Sequence, residues 1–402
     1  MKKTPELLAP AGNYEKLKTA LYFGADAVYL GGKSFSLRSF SDNFGKDEMK
    51  KAVEYAHARG KKVYVTANIF AKNADFAALA DYFSYLREIG ADAALVTDAG
   101  VLALAKKAAP DLALHISTQA NTTNKYAAKF WREQGAERVV LARELSVAEV
   151  REIRDFCPDL ELEAFVHGAM CISYSGRCLL SNYLAGRDSN RGECVQACRW
   201  KYRLRAEGRE GEIFAEEDGR GTYIFNSKDL NLSAHLAELT AAGVDSFKIE
   251  GRMKSAYYVA TVVNAYRRLL DGKMTAEEAA RELDTAAHRD YTEAYAFGGN
   301  EKTVNYTDSQ TAGTRVYTAN VLEGAQAGGA ALIEMRNRFR LGDELEILSP
   351  SGSFGKRFIA EEMRGEDGES VADAKLVQQK LRIFCPHELC AGDILRRVPK
   401  GE

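Results

Sequence analysis

The chain has 402 residues, 46% of them hydrophobic and 28% charged, which is typical of a soluble globular protein of about two domains. Lys and Arg number 55 against 57 Asp and Glu, so the formal net charge of −2 excludes recruitment of nucleic acid or membrane by a global field. No signal-peptide run opens the sequence, and no segment approaches the ~18 consecutive apolar residues of a membrane span. We therefore expect a cytoplasmic protein with reduced thiols, in which any nucleic-acid site is a local patch.

Short apolar runs typical of β-strands recur eight times in the first part of the chain. They are Leu7–Ala9, Ala27–Leu30, Lys62–Ala67, Ala93–Thr97, Leu112–Ser117, Arg138–Ala142, Leu162–Val166 and Asp245–Glu250. Helix-period stretches separate most of them, and this alternation predicts an α/β fold, a (β/α)8 TIM-like barrel. Because periodicity alone does not show closure, a doubly wound open sheet is the alternative. A further run at Tyr223–Asn226 is expected to form a hairpin with Tyr202–Arg205.

In such a barrel the active site lies at the carboxyl ends of the strands. The residues at those ends are Pro10, Gly12, Gly31, Gly32, Asn68, Asp98, Gln119, Asn121, Arg143, Glu144, His167, Glu250 and Arg252. We interpret His167 as a candidate for acid–base chemistry or substrate contact, and Arg252 as a candidate bidentate grip on a carboxylate or phosphate. The structural alternatives are a packed histidine and an ion pair between Glu250 and Arg252.

The domain organisation follows from insertions and composition. A cysteine-rich insert at about 168–235 interrupts the last crossover of the barrel on its catalytic face. Short alternating strands from residue 315 onward, such as VYTANVLE, DELEILSP and GDILRRV, indicate a small all-β domain, most simply a barrel. We therefore predict a barrel at 1–270, a polar linker at 271–315 and a C-terminal β-barrel at 316–402.

Four of the seven cysteines fall in the insert: Cys171, Cys178, Cys194 and Cys198. Thiols gathered in this way in an intracellular chain most often hold a metal or an iron–sulfur cluster. A 4Fe–4S cluster matches the number and type of ligands, whereas structural zinc more often shows tight Cys-x2-Cys pairs. Unrelated buried thiols are the third interpretation. The remaining cysteines are expected to be inert: Cys157, Cys385 and Cys390.

The insert is also rich in cations and aromatic rings. Its cations are Arg177, Arg187, Arg191, Arg199, Lys201, Arg203 and Arg205. Its interleaved aromatic residues are Tyr174, Tyr183, Trp200 and Tyr202. This mixture suits phosphate contact and base stacking, but the cations equally suit the negative charge of a thiolate-bound cluster. A second basic run is more simply a solvated turn: Arg336, Arg338 and Arg340.

Five stretches of the sequence resemble the motifs of the collagenase-like peptidase family U-32. They are EAFVHGAMC at 163–171, GRCLLS at 176–181, KIEGRMKS at 248–255, LAPAG at 8–12 and FNSKDL at 225–230. The resemblance covers the whole chain, including the C-terminal β domain. The family name implies a peptidase, yet the sequence has neither His-Glu-x-x-His nor Gly-x-Ser-x-Gly, and a cysteine protease needs one activated thiol rather than four clustered ones.

Members with this four-cysteine arrangement and C-terminal domain are associated with prephenate-dependent formation of 5-hydroxyuridine at the tRNA wobble position. Relatives in oxygen-independent ubiquinone hydroxylation bind a 4Fe–4S cluster through cysteines. The resemblance therefore implies a tRNA uridine hydroxylase with tRNA and prephenate as partners. It implies a 4Fe–4S cluster on four ligands: Cys171, Cys178, Cys194 and Cys198.

Under this hydroxylase hypothesis the residues at the strand ends have candidate roles. His167 and Glu250 would be acid–base residues, and Arg252 and Arg143 would grip substrate carboxylates. The insert would contact tRNA through Arg177, Arg191, Arg199, Trp200 and Lys201. The alternatives are a collagenase-like peptidase and a non-catalytic iron–sulfur subunit of a hydroxylation complex. A protein partner or a homo-oligomer is compatible with each of these roles.

Overall fold

The structure is a computed structural model that describes residues 4–37, 42–200, 226–298, 303–304 and 313–399. Lys201 and the hairpin predicted at 202–205 and 223–226, apart from Asn226, lie outside the described residues. The chain forms two compact units. The first holds Met1–Leu17, Ala25–Lys254 and His288–Thr311, and the second holds Lys18–Gly24, Ser255–Ala287 and Ala312–Glu402.

The first unit contains a closed parallel barrel. Its eight strands are β1 Glu6–Pro10, β2 Ala27–Gly31, β3 Lys62–Ala67, β4 Ala93–Val96, β5 Ala113–Ile116, β6 Arg138–Val140, β7 Glu161–Ala169 and β9 Ser246–Ile249. Each pairs in parallel with the next, and β9 pairs with both β7 and β1, which closes the ring. Each predicted strand overlaps one of these eight. The predicted barrel is therefore confirmed and the open-sheet alternative is excluded.

Two further strands extend the sheet beside the ring. β8 Asp229–Asn231 runs antiparallel to the end of β7, and β10 Tyr291–Thr292 runs parallel to β8. β8 lies within the predicted insert, and β10 lies within the segment that we predict to be a linker. Together they cover the end of β7, where His167 pairs with Asn231.

The helices alternate with the strands. They are α1 Tyr14–Tyr22, α2 Lys46–His57, α3 Phe76–Glu88, α4 Ala99–Ala108, α5 Lys125–Glu133, α6 Val147–Phe156, α7 Leu180–Ala185, α8 Leu236–Ala242, α9 Ala256–Leu270 and α10 Ala276–Leu283. Local sequence fixes several helix starts. In α6, for example, Ser146 accepts from the Glu149 N–H while the Glu149 side chain accepts from the Ser146 N–H. None of the helices in the described ranges is both long and apolar enough to cross a bilayer.

The barrel interior is held by charges as well as by apolar packing. Arg138 on β6 donates to Glu6 at 2.7 Å and to Glu163 at 3.0 Å. Lys248 on β9 donates to the same Glu163 at 2.6 Å and lies 4.4 Å from the ring centre of Tyr29. Removing one partner of such a network would strand a buried charge, so the network fixes the register of four strands rather than simply adding stability.

The second unit contains an antiparallel β domain together with helices α9 and α10. Its strands are β11 Val316–Glu323, β12 Ala330–Met335, β13 Phe339–Arg340, β14 Glu344–Leu348, β15 Arg357–Ile359, β16 Met363–Gly365, β17 Asp373–Ala374, β18 Lys380–Phe384 and β19 Ile394–Arg397. Seven pair in the order β15-β14-β19-β11-β12-β18-β16, and β13 pairs with β17. Side chains from all of these strands meet in one core. The predicted C-terminal β domain is confirmed.

The segment predicted as a linker, 271–315, includes α10, which packs within the second unit. Arg396 on β19 is 1% exposed and donates to both oxygens of Glu282 on α10, each at 2.7 Å. It also donates to Glu346 on β14. The predicted domain boundaries stay predictions, but part of the linker is ordered secondary structure joined to the β domain by a buried ion pair.

Candidate functional site

Arg252 lies at the carboxyl end of the barrel, just after β9, and its side chain is buried. Its Nη1 donates to the Ser36 hydroxyl at 2.9 Å and to the Thr66 hydroxyl at 3.3 Å. Gly31, at the end of β2, leaves the space for this guanidinium, because a Cβ atom there would lie 2.1 Å from Nη1. The structure thus places the predicted arginine where a barrel binds substrate, with hydroxyls fixing its orientation.

Glu250 lies beside a buried phenol. The Tyr29 hydroxyl on β2 is 3.0 Å from the Ile249 carbonyl and 3.1 Å from the Glu250 carboxylate, both of which can accept its proton. Burial and the Glu250 charge raise the pKa of Tyr29 well above its usual value, so the phenol stays a neutral donor. Gly168 has a φ of 106°, and a Cβ atom there would lie 2.4 Å from the Glu250 carbonyl. The sequence had not singled out Tyr29.

Arg143 also lies at the barrel mouth, after β6. Its Nη1 donates to the Ala169 carbonyl at 2.9 Å, and its guanidinium lies 4.2 Å from the ring centre of Phe165. Its charge lowers the pKa of Tyr29, as does that of Arg252, so both cations lie near the same phenol. The Arg143 Nε–H is buried and has no hydrogen-bond partner among the described residues. Arg143, Glu250 and Arg252 thus all lie close enough to Tyr29 to shift its pKa, and their roles in substrate binding stay predictions.

His167 faces away from this group. The pairing of β7 with β9 shifts register between Phe165 and His167, which turns the imidazole toward β8 and β10. Its ring centre is 5.3 Å from that of Tyr291, and its side chain hydrogen-bonds to Asn231. Burial lowers the pKa of His167 to about 3, so the ring is neutral at physiological pH. A neutral imidazole can accept a proton or a hydrogen bond, but it is rarely protonated and so is a poor general acid.

A second charged group surrounds His167, and sequence reasoning missed it. Asp229 on β8 is 1% exposed and accepts from Nε of Arg289 at 3.0 Å and from its Nη2. Burial lowers the pKa of Lys254, and the nearby Arg289 and Arg199 cations lower it further. Three cations thus lie near one buried carboxylate. Asp229 and Lys254 lie in the FNSKDL and KIEGRMKS motifs, so the family resemblance could have identified them as site residues. No motif contains Arg289.

The four insert thiols interact with one another. Burial raises the pKa of Cys198 to about 11, and the charges of Cys171, Cys194 and Cys178 raise it as well. The Cys194 sulfur accepts from the Gln196 N–H at 3.4 Å and from the Ser181 hydroxyl at 3.7 Å. Four soft thiolates, with hydrogen bonds already directed at one sulfur, fit the donor set of an iron–sulfur cluster. Within the described ranges, however, no three His, Cys, Asp or Glu side chains are grouped as ligands of a metal ion.

Charged side chains fasten the insert to the barrel. Arg191 donates from two nitrogens to Asp75, at 2.8 and 3.1 Å, and to the Phe70 carbonyl at 2.8 Å. These hydrogen bonds lower the pKa of Asp75 to about 2. Glu144 accepts from the Ser175 N–H at 2.9 Å. Arg191, predicted to contact tRNA, is therefore already bound in an ion pair that positions the insert.

Other predicted tRNA contacts do lie on the surface of the insert. Arg177 and Tyr174 are exposed, Tyr183 is 87% exposed and Trp200 is 44% exposed. Arg199 is half-buried and donates to the Gln196 side chain at 2.6 Å. Exposed rings beside a cation form a surface on which bases can stack. The described part of the insert thus divides into an anchoring arginine and an exposed aromatic face.

Comparison with known proteins gives the family context. A family model described as peptidase family U32 matches residues 12–306, and one described as the peptidase family U32 C-terminal domain matches residues 314–396. The chain is 39% identical to tRNA hydroxylation protein P1 of Bacillus subtilis, over 98% of this chain and 95% of that protein. It is 37% identical to tRNA hydroxylation protein P of Escherichia coli, over 91% and 90%. It is 38% identical to the 23S rRNA 5-hydroxycytidine C2501 synthase of Escherichia coli, over 66% of this chain and 39% of that protein.

Proposed function

Since the chain belongs to peptidase family U32, we propose that it is a tRNA hydroxylase. One observation carries the proposal: proteins named for tRNA hydroxylation match this chain over nine-tenths of both lengths at 37–39% identity. A third relative is named as the synthase of a hydroxylated rRNA base, which supports the same reaction type on RNA. The exposed aromatic face of the insert supplies a surface suited to unstacked bases.

The finer proposal is that the wobble uridine becomes 5-hydroxyuridine with prephenate as co-substrate. Prephenate carries two carboxylates, and the barrel mouth presents two arginines near Tyr29, Arg143 and Arg252. Arg252 has its orientation fixed by Ser36 and Thr66, so little side-chain entropy remains to be lost when it grips an anion. The cations around Asp229 offer a second place for a negative group of tRNA or co-substrate.

The chemistry assigns distinct tasks to the residues of this chain. Exchange of C5–H for C5–OH, with an oxygen atom at the oxidation level of hydroxide from water or prephenate, releases two electrons, so an external electron acceptor is required. A 4Fe–4S cluster, held by Cys171, Cys178, Cys194 and Cys198, would supply electron transfer when bound. Glu250, beside Tyr29 at the barrel mouth, would take the C5 proton. The Tyr29 phenol, neutral because burial raises its pKa, would donate a hydrogen bond to a developing oxyanion.

A peptidase is the second candidate, because the family name states it. A cysteine nucleophile requires a lowered thiol pKa, whereas burial raises that of Cys198 to about 11. The arginines at the barrel mouth, Arg143 and Arg252, suit an anionic substrate rather than a neutral peptide bond. A non-catalytic iron–sulfur subunit is the third candidate, and product formation by the purified chain separates it from the hydroxylase.

The test is nucleoside analysis of tRNA from cells that lack this chain, with any redundant hydroxylation route disabled. We expect 5-hydroxyuridine-type nucleosides to disappear and to return with the wild-type chain. Arg252→Ala should fail to restore them, because loss of a charge-assisted grip of about 2–3 kcal/mol cuts flux about 30-fold or more. Arg87→Ala, which removes a half-exposed arginine paired with Asp111, is the matched control and should restore them fully. Unchanged nucleosides together with peptide cleavage by the purified chain would overturn the proposal.

A further inference from the structure

The β domain contains a cavity of about 530 Å³ that the proposed reaction does not use. It is lined by Arg338, Arg340, Arg397, Asp343 and Phe339, with neighbouring residues of the chain's last strand. The sequence suggested that Arg338 and Arg340 belong to a solvated turn. Both side chains are more than half exposed, and Phe339 between them is 1% exposed.

The cavity has more guanidinium groups than carboxylates to neutralise them. Arg338 donates to both oxygens of Asp373, at 2.9 and 2.6 Å, and Arg340 shares that carboxylate at 3.4 Å. Arg397 lies 3.8 Å from Asp343. Three guanidiniums therefore face two carboxylates. Because Asp373 holds two of the arginines, their positions are fixed while more than half of each side chain remains exposed.

Arg397 points to a missing acceptor. Its side chain is 36% exposed, yet its Nε–H is buried and has no hydrogen-bond partner in the described part of the chain. A buried donor without a partner is unfavourable, so a small turn of this side chain toward an acceptor in the cavity would be favoured. An anion with several acceptor oxygens can accept from the exposed edges of the neighbouring guanidiniums and from the turned Arg397 together.

We propose that this arginine pocket binds a phosphodiester of the tRNA backbone, as a second contact outside the barrel. This inference rests on the proposed function. Arginine recognises phosphate through two parallel hydrogen bonds, and the cavity has room for a phosphate with its ribose. Phe339 contributes an apolar wall, and the arginines that contact Asp373 and Asp343 are directed at a charged group rather than a base edge in this proposal, so the pocket would position RNA without reading its sequence.

The experiment measures tRNA binding by the full-length, anaerobically purified chain across a salt series. The pocket variant Arg338→Ala/Arg340→Ala is compared with Arg364→Ala/Arg382→Ala. The control removes two arginines of the same domain that are 54% and 49% exposed and are likewise paired with carboxylates. We expect roughly tenfold weaker binding for the pocket variant and a salt slope shallower by about one to two units, with the control like wild type.

The outcomes separate the pocket from the proposed function. If wild type does not bind tRNA, the proposed function fails. If wild type binds and the pocket variant has the same affinity and slope, the pocket inference alone fails. An equal loss of tRNA affinity in the control variant also overturns the pocket inference, because the loss then reflects the lower net positive charge of the domain rather than the pocket. As a further check, inorganic phosphate is titrated as a competitor of tRNA in wild type and in Arg397→Gln. If phosphate binds to the pocket but tRNA affinity does not change, the pocket is a small-anion site and the RNA contact is rejected.

Discussion

Gly31→Ala tests whether the orientation of Arg252 matters to the reaction. The new Cβ atom would lie 2.1 Å from Nη1 of Arg252 and 2.2 Å from the Ser36 hydroxyl oxygen, so both must move. Moving the guanidinium costs the hydrogen bonds that fix it, and overpacking of this kind destabilises by about 1–3 kcal/mol. The barrel should still fold, with a Tm lower by roughly 2–10 °C. Hydroxylation should fall as far as it does in Arg252→Ala.

The assay is a double-mutant cycle in which thermal unfolding and tRNA 5-hydroxyuridine are both measured. In the Arg252→Ala background one of the two obstructing groups is gone, and the space it leaves lets the Ser36 hydroxyl turn aside, so Gly31→Ala should cost less further stability and no further activity. The expected coupling is about 1 kcal/mol or more. Gly352→Ala is the control, because no atom lies within 4 Å of its added Cβ. Additive costs in the cycle, or a fully active Gly31→Ala, would refute the argument that Arg252 acts from this fixed position.

Three further predictions concern the charges and thiols. Lys248→Met should lower the free energy of unfolding by about 3–5 kcal/mol, because it removes one of the two cations, Lys248 and Arg138, that are paired with the fully buried Glu163 carboxylate. Lys61→Met, from a half-buried pair, should cost less than about 1 kcal/mol in the same denaturant titration. The anaerobically purified chain should be brown and contain about four irons per chain. Cys198→Ala should lose the colour and the iron, whereas the control Cys157→Ala should keep both. A colourless protein with stoichiometric zinc would reject the cluster. Asp75 has a pKa lowered to about 2 by hydrogen bonds, so its stabilising effect is complete above its ordinary value of 3.8 and is lost as the pH falls toward 2. The stability difference between wild type and Asp75→Asn should accordingly shrink between pH 4 and 2, and a constant difference would contradict the assignment.

The strand prediction succeeded where the signal was local. Each barrel strand is a short apolar run between helix-period stretches, so its own residues indicate it. Four strands of the β domain escaped prediction: β13, β16, β17 and β18. β13, β16 and β17 have two or three residues each. Strands this short form only because a neighbouring strand pairs with them. They have too few residues for an alternation of apolar and polar side chains to be recognised in the sequence.

The candidate site was partly predictable for the same reason. The barrel rule placed Arg143, Glu250 and Arg252 at one end of the molecule, and the structure brings them together around Tyr29. It also predicted His167 at that end, but a shift of register turned the ring toward Asp229 instead. A bulge depends on how two strands align, which no pattern within one strand reports.

The sequence by itself determined the barrel, the all-β second unit and the gathering of four thiols, because periodicity and close spacing act over neighbouring residues. Tertiary structure decided what each charge does. Arg191 met Asp75 across 116 positions and became an anchor, and Arg252 met Ser36 across 216 positions and became a fixed cation at the barrel mouth. The physical reason is that burial and pairing depend on which strand ends the closed ring brings together. The environment that sets the pKa of a side chain therefore exists only after the ring has closed.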